Sequence, residues 1–152
     1  MNASPRKPDE KLEMNPQLES VIQSLNYSEE VFQSVSRTFH DRFDTLKKWT
    51  SSIEQKSLSV ALQQTEGAWK NIADAISPEH SSELSSQTLY KLISDLKFAM
   101  DKLLKAYETV RDRLINLFPT PGLEKDINDL KNIIKQAVEP LVADSKAVVE
   151  TE

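Results

Sequence analysis

The chain has no cysteine among its 152 residues and only two glycines. Without cysteine it has no disulfide, no thiolate nucleophile and no cysteine-ligated metal. The glycine content lies far below the average of roughly 7%, and phosphate-binding loops, dinucleotide folds and tight hairpins need glycine for their turns. These shortages disfavour sheets and nucleotide-binding folds, and they predict an all-α protein.

Long apolar runs and basic blocks are also missing. No stretch approaches the 18 or so consecutive apolar residues of a transmembrane helix, and residues 1–14 lack the apolar run of a signal peptide. The absence of cysteine fits a reducing compartment, so we expect a cytoplasmic protein. A net charge of -5 without a basic segment argues against nucleic-acid binding and against membrane association.

Catalytic constellations are equally scarce. No Gly-x-Ser-x-Gly elbow occurs, and two glycines do not build an ordinary oxyanion nest. His40 and Asp44 share a helix face with Asp41 beside them, but a metal site would need a further ligand from another helix. A solvated charged face is the preferred interpretation, so we expect no enzymatic activity, no metal and no cofactor.

The remaining sequence is strongly helical in its periodicity. Residues 1–14 are polar and unperiodic and are predicted to be a disordered tail, 15–149 a single helical-bundle domain, and 150–152 a frayed acidic end. Asn15-Pro16 predicts a capped helix start. Apolar residues spaced by seven then run from Phe32 to Ile53, with a kink allowed at 26–28.

A second apolar stripe, on a different face, begins at Leu58 and continues to Ile76. One straight helix cannot direct both stripes to one core, so a turn or a kink is predicted near 54–57, and the sequence leaves the choice between them open. Ser77-Pro78 has the pattern of a cap followed by proline in the first helical turn, and it predicts the start of the next helix.

That next helix carries the most regular pattern in the chain. Two apolar rows repeat every seven residues, one from Leu89 to Leu117 and the other from Ile93 to Leu114. A last helix is predicted from Thr120 or Pro121, with a kink at Pro140. Short connections make sequential helices antiparallel, and we predict an elongated antiparallel bundle of three or four amphipathic helices.

The predicted function is that of a non-enzymatic protein-interaction module: a scaffold, adaptor or oligomerising bundle that binds a protein partner through helix faces. The candidate interaction residues are Trp49, Trp69, Leu96, Leu103 and Val110. Core packing is the alternative for both tryptophans. For the heptad row through Leu96, Leu103 and Val110, homo-oligomerisation and complete burial within the monomer both stay open.

A second functional hypothesis is binding to a lipid or granule surface through amphipathic helices. Its weakness is the mixed, net acidic charge, because interfacial helices usually flank their apolar face with lysine and arginine. The string Ser4-Pro5-Arg6-Lys7 matches a proline-directed kinase site, and a match this short also occurs by chance. The sequence does not decide whether it is phosphorylated.

Overall fold

A computed structural model describes residues 15–115 and 121–152. These residues form helices without any strand, so the predicted all-α fold is confirmed. The predicted tail at 1–14, with the Ser4-Pro5-Arg6-Lys7 string, and Leu117 lie outside the described residues. The helices are α1 (Pro16–Tyr27), α2 (Glu29–Leu46), α3 (Ser52–Ile76), α4 (Ser86–Leu114), α5 (Pro121–Ile133) and α6 (Glu139–Thr151).

The helices form a closed four-segment bundle: the α1–α2 pair, α3, α4 and the α5–α6 pair each pack beside the next, and the last returns to the first. Ion pairs mark the antiparallel directions. Glu54 near the start of α3 meets Arg113 near the end of α4, and Arg42 near the end of α2 meets Asp126 in α5. The predicted elongated antiparallel bundle is therefore confirmed. At 1.5 Å per residue, α4 is about 43 Å long.

The core is built around α4, whose two heptad rows are buried as predicted. The buried members within the described residues are Leu89, Leu96, Leu103 and Val110 in one row, and Ile93, Met100, Tyr107 and Leu114 in the other. Tyr107 packs edge-on against Phe39 of α2 with ring centroids 4.7 Å apart, and its hydroxyl donates to the Phe39 carbonyl oxygen. The α1–α2 segment is thereby joined to α4 through the centre of the bundle.

The first helix begins at the predicted cap, because the Asn15 side chain accepts a hydrogen bond from the backbone N–H of Gln17. A single residue, Ser28, separates α1 from α2. Its hydroxyl donates to the carbonyl of Ser24, while its own carbonyl accepts from Phe32, so the backbone ladder continues through the break. The break lies at the site where the sequence allowed a kink, and serine competition for a backbone carbonyl accounts for it.

The turn between the first two segments lies earlier than predicted. A short 3₁₀ turn at Lys47–Trp49 and an extended Thr50 end α2, whereas the sequence interpretation placed the turn at 54–57. The hydroxyl of Ser51 accepts from the N–H of Glu54 while the Glu54 side chain accepts from the N–H of Ser51. This capping box starts α3 at Ser52. Ile53, assigned to the first apolar stripe, is 82% exposed, and that assignment is wrong.

The interpretation of Ser77-Pro78 as a helix start is also wrong. Ser77 ends α3 in an extended conformation, as expected for a residue before proline. A turn and a 3₁₀ segment at Ser81–Glu83 follow, and α4 begins after Ser85, whose hydroxyl accepts from the N–H of Thr88. Proline after a helix and proline in its first turn look alike in sequence, because both lack the N–H that a helix interior needs.

The last segment carries the predicted stripe, with Leu123, Ile127, Leu130, Ile134, Val138 and Leu141 buried. Its irregularity is a π-helical turn, Ile134–Val138, which ends two residues before Pro140. The N–H of Glu139 bonds to the carbonyl of Ile134, five residues back. The wider turn accommodates a proline that has no N–H to donate. Since α6 extends to Thr151, fraying of 150–152 stays a prediction.

Both ends of the described chain lie at the same end of the bundle. The hydroxyl of Thr151 lies 3.3 Å from the side-chain oxygen of Gln17, and Ser86 at the start of α4 donates a hydrogen bond to Glu152. The turn at Lys47–Trp49 lies at the opposite end.

We expect the two glycines to respond differently to replacement by alanine. Gly67 lies in α3 with open space where a Cβ would be, so Gly67→Ala should raise the free energy of unfolding by about 0.5–1 kcal/mol. At Gly122 in α5 a methyl group would overlap the guanidinium of Arg42, and this clash should cancel the same gain. Urea unfolding of both variants checks the contrast, and equal gains would contradict the packing of Arg42 on Gly122.

Candidate functional site

A groove lies between the first half of α3 and the second half of α4. Its volume is about 580 Å³, and it is open to solvent along its length. Its apolar lining residues are Ile53, Val60, Ala61, Ala106 and Val110. Because α3 and α4 run antiparallel, the groove residues come from two segments about 40 residues apart in sequence.

Small side chains give the groove its depth. Ala61 and Ala106 face the groove from opposite helices, and neither reaches far beyond its own helix. Val110 closes the floor, while Val60 is 40% exposed and Ile53 at one end is 82% exposed. Exposed aliphatic side chains beside a floor of small residues leave apolar surface that a large side chain of a partner can cover.

Lysines line both sides of this apolar floor. Lys56 projects from α3, and Lys102 and Lys105 project from α4. None of the three forms an ion pair with any residue in the described ranges. The whole chain carries a net charge of -5, so the groove is locally cationic on an acidic protein. Unpaired charges around an apolar floor favour a ligand of opposite charge.

One end of the groove is fixed by Arg113. Its guanidinium donates to both carboxylate oxygens of Glu54, each at 2.6 Å, and to the carbonyl of Trp49 at 2.7 Å. The hydrogen bonds from Arg113 lower the pKa of Glu54, and the capping interaction with Ser51 lowers it further. Glu54 therefore stays ionised with its charge satisfied by Arg113, and the lysines set the charge that the groove offers to a ligand.

The ion pair between Arg113 and Glu54 predicts a pH-dependent contribution to the stability of the fold. A carboxylate whose pKa is lowered by folding stabilises the fold above its unfolded pKa, here near 4.5, and that contribution is lost as the pH falls through the folded pKa. We expect the melting temperature of Glu54→Gln to be lower than that of the wild type at pH 7, and the difference between the two to shrink below about pH 4.

Circular dichroism melts at pH 7 and pH 3 measure this change. Glu79→Gln, in the exposed turn after α3, is the matched control, and its difference from the wild type should be small at both pH values. If the difference in melting temperature between Glu54→Gln and the wild type grows toward acid pH, the ion pair between Glu54 and Arg113 does not stabilise the fold.

Phe98 extends the exposed apolar surface along α4, one turn before Lys102. Its ring is 63% exposed, and the ammonium nitrogen of Lys102 lies 4.5 Å from the ring centroid. This cation–π contact holds the lysine along the helix surface. The groove side of α4 thus presents an aromatic ring and two lysines, Lys102 and Lys105, within two helical turns.

The two candidate tryptophans have different environments. Trp49 lies in the turn after α2, with its side chain 41% exposed and its carbonyl bound to Arg113 at the end of the groove. Trp69 is partly buried and stacks on Phe32 with ring centroids 4.5 Å apart. Core packing, the alternative for both tryptophans, therefore describes Trp69, while Trp49 lies beside the groove.

The heptad row is used inside the monomer. Leu96 and Leu103 are fully buried and Val110 is nearly so. Leu96 and Leu103 thus present no surface to a second copy in this fold, which is the burial alternative that the sequence left open. Among these three residues, only Val110 lines the α3–α4 groove, as part of its floor.

His40 contacts a carboxylate that does not come from its own helix. Its Nε2 lies 2.8 Å from Oε2 of Glu66 on α3, and Ser36 donates a hydrogen bond to the same oxygen. A catalytic triad needs serine bonded to histidine, with the carboxylate on the far side of the imidazole. Here the carboxylate lies between the two, so the cluster is built to link α2 to α3. Asp41 and Asp44 are not part of it.

A second groove, between α2 and α5, has a volume of about 310 Å³ and contains Asp126 and Asp129. Both carboxylates are paired, with Arg42 and with Lys125 respectively. Its charges are therefore satisfied internally, in contrast to the lysines of the α3–α4 groove.

Most groove residues were missed by sequence reasoning. Val60, Lys102 and Lys105 lie off the apolar stripes, and nothing in their local spacing links 53–64 to 102–110. One local signal was present: Ser51-x-x-Glu54 matches a capping box, and it would have started α3 at Ser52 and removed Ile53 from the first stripe.

Two absences hold for residues 15–115 and 121–152. No group of three or more histidine, aspartate or glutamate side chains there could hold a metal ion. None of the helices in these ranges combines the length and the apolar character needed to cross a bilayer. No family model, no curated protein and no solved structure matches this chain.

Proposed function

We propose that this chain is a non-enzymatic, cytoplasmic protein-interaction module that binds a protein partner in the α3–α4 groove. The observation that carries the proposal is the groove itself, which combines a concave apolar floor with unpaired lysines on both sides. The proposed interaction surface is the outer side of α3 and α4, and not the heptad row of α4. Among the original candidates, Trp49 and Val110 border or line this surface.

The shape of the groove supports a partner with its own side-chain anchors. Val60 and Ile53 are exposed, and the alanines of the groove floor leave room for an inserted side chain. Interfaces gain most of their affinity from a few large side chains that fill such pockets, surrounded by polar contacts at the rim. The lysines supply that rim.

A lipid-surface function is the second candidate, supported by the exposed ring of Phe98 beneath Lys102. Interfacial binding needs a broad, continuous apolar face. Here Ile53, Val60 and Phe98 are separate exposed side chains, and the groove is concave, so a protein partner is favoured.

Selection from a helical peptide library tests the proposal. Each library helix is displayed on a stable helical scaffold, with an apolar stripe and with flanking positions that encode glutamate or lysine in equal proportion. We expect peptides to be enriched on the wild-type chain and to lose binding to Val60→Glu, which places a charge in the groove.

The matched control is Tyr27→Glu. Tyr27 is 83% exposed at the end of α1, outside the groove, and its replacement should leave binding unchanged. Circular dichroism must show both variants folded. If no peptide is enriched, or if the enriched peptides bind Val60→Glu as well as they bind the wild type, the groove is not an interaction site.

A further inference from the structure

We infer that the occupant of the groove is an amphipathic α-helix whose apolar stripe is flanked by acidic residues. This inference rests on the proposed function and deepens it by naming the chemistry of the partner. Three features support it: the backbone hydrogen bonds that any bound peptide must satisfy, the length of the groove, and the positive charge of the groove rim.

A helix suits this groove because it satisfies its own backbone hydrogen bonds. An extended peptide that binds by strand addition needs a sheet edge, and the described residues contain no strand. The groove floor is formed by Ala61, Ala106 and Val110, which offer no side-chain hydrogen bonds. A ligand helix brings only side chains to that floor.

The length of the groove sets the length of the helix. Its α3 side extends from Ile53 to Gln64, which corresponds to roughly 17 Å at the helical rise of 1.5 Å per residue. A ligand of about three turns covers that distance. Its apolar residues would recur every three or four positions so that they face the floor together.

The charge of the rim decides the flanking residues of the ligand. Lys56 stands on one side of the floor, with Lys102 and Lys105 on the other, so acidic residues on both flanks of a bound helix meet a cation. Glu54 is held by Arg113 and its charge is compensated. The repulsion from the net acidic chain is screened over roughly 8 Å at physiological salt, whereas the groove contacts are local.

The library provides the direct test, because its flanking positions are free to take either charge. We expect the enriched peptides to carry mainly glutamate at those positions. In fluorescence anisotropy, an enriched acidic peptide should bind about tenfold more tightly than its lysine counterpart, since each exposed ion pair contributes modestly. The preference should weaken as salt is raised.

Charge reversal in the protein tests the same point from the other side. The double variant Lys102→Glu, Lys105→Glu should lose about tenfold in affinity for the acidic peptide and gain affinity for the lysine peptide. The matched control is Lys135→Glu, Lys146→Glu, which changes the net charge equally on exposed lysines of the last segment. This control should change the affinity much less.

Several outcomes would overturn the inference. Groove-dependent peptides with no glutamate preference would remove the acidic partner and leave the proposed function standing. Co-flotation with anionic phosphatidylserine vesicles that is lost in the Lys102→Glu, Lys105→Glu variant would identify a lipid surface instead. A dimer in sedimentation that Val60→Glu dissociates would identify a second copy as the occupant.

Discussion

Replacing Leu103 with alanine will lower the free energy of unfolding by about 2–5 kcal/mol. Leu103 is fully buried near the middle of the α4 core row. Removing three carbon atoms there loses their transfer free energy and leaves a cavity that helices fixed on several sides cannot fill completely. Urea unfolding followed by circular dichroism measures the loss as a lower midpoint with an unchanged slope.

The neighbouring residue provides the matched control. Leu104 is only partly buried on the flank of the same helix, so Leu104→Ala removes the same atoms from a site that water already reaches. Its cost should be clearly smaller than that of Leu103→Ala. A loss below about 0.5 kcal/mol for Leu103→Ala would mean that the row does not form the core.

Replacing Arg42 with methionine will cost about 2–3 kcal/mol, the second-largest expected effect. The Nε of Arg42 donates to Oδ2 of Asp126 at 2.7 Å, and Asp126 is buried between α2 and α5. Methionine keeps much of the side-chain length and removes the charge. The aspartate then remains as a buried carboxylate without its partner, and this desolvated charge dominates the loss.

A second substitution separates that effect from lost packing. Adding Asp126→Asn to Arg42→Met removes the orphaned charge, so the double variant should recover a substantial part of the stability lost by Arg42→Met. Equilibrium unfolding of the wild type, both single variants and the double variant completes the cycle. Purely additive losses would show that the ion pair makes no coupled contribution.

The fold could be predicted to a large extent because periodicity directly encodes which face of a helix is buried. The rows through Leu96 and Met100 repeat every seven residues, and a long helix with such rows has few alternatives to burying them in a bundle. The turn at Lys47–Trp49 was not predicted because neither glycine nor proline occurs there. The capping box of Ser51 and Glu54 starts α3 directly after this turn, through two hydrogen bonds. Its sequence pattern, serine followed three residues later by glutamate, also occurs by chance.

The groove could not be predicted from sequence in the same way. Lys56 and Lys102 stand on opposite rims only because α3 and α4 pack antiparallel, and that juxtaposition is a property of the tertiary structure. In sequence each lysine is one charge on a solvated helix face. Small floor residues such as Ala61 and Ala106 fit a core stripe equally well, so only packing shows that they leave a depression.

The hydrogen bond between Thr151 and Gln17 makes the bundle suitable for circular permutation. Because the two chain positions already meet, a short linker joining 152 to 15 would leave the four-segment bundle intact, and new termini could be opened in the exposed turn around Pro78. A label attached beside Gln17 or Thr151 would also be remote from the groove. Lys102 lies sixteen residues along α4 from Ser86 at that end, or roughly 24 Å. Fluorophores or surface tethers placed there would therefore leave the groove free in measurements that test the proposed binding.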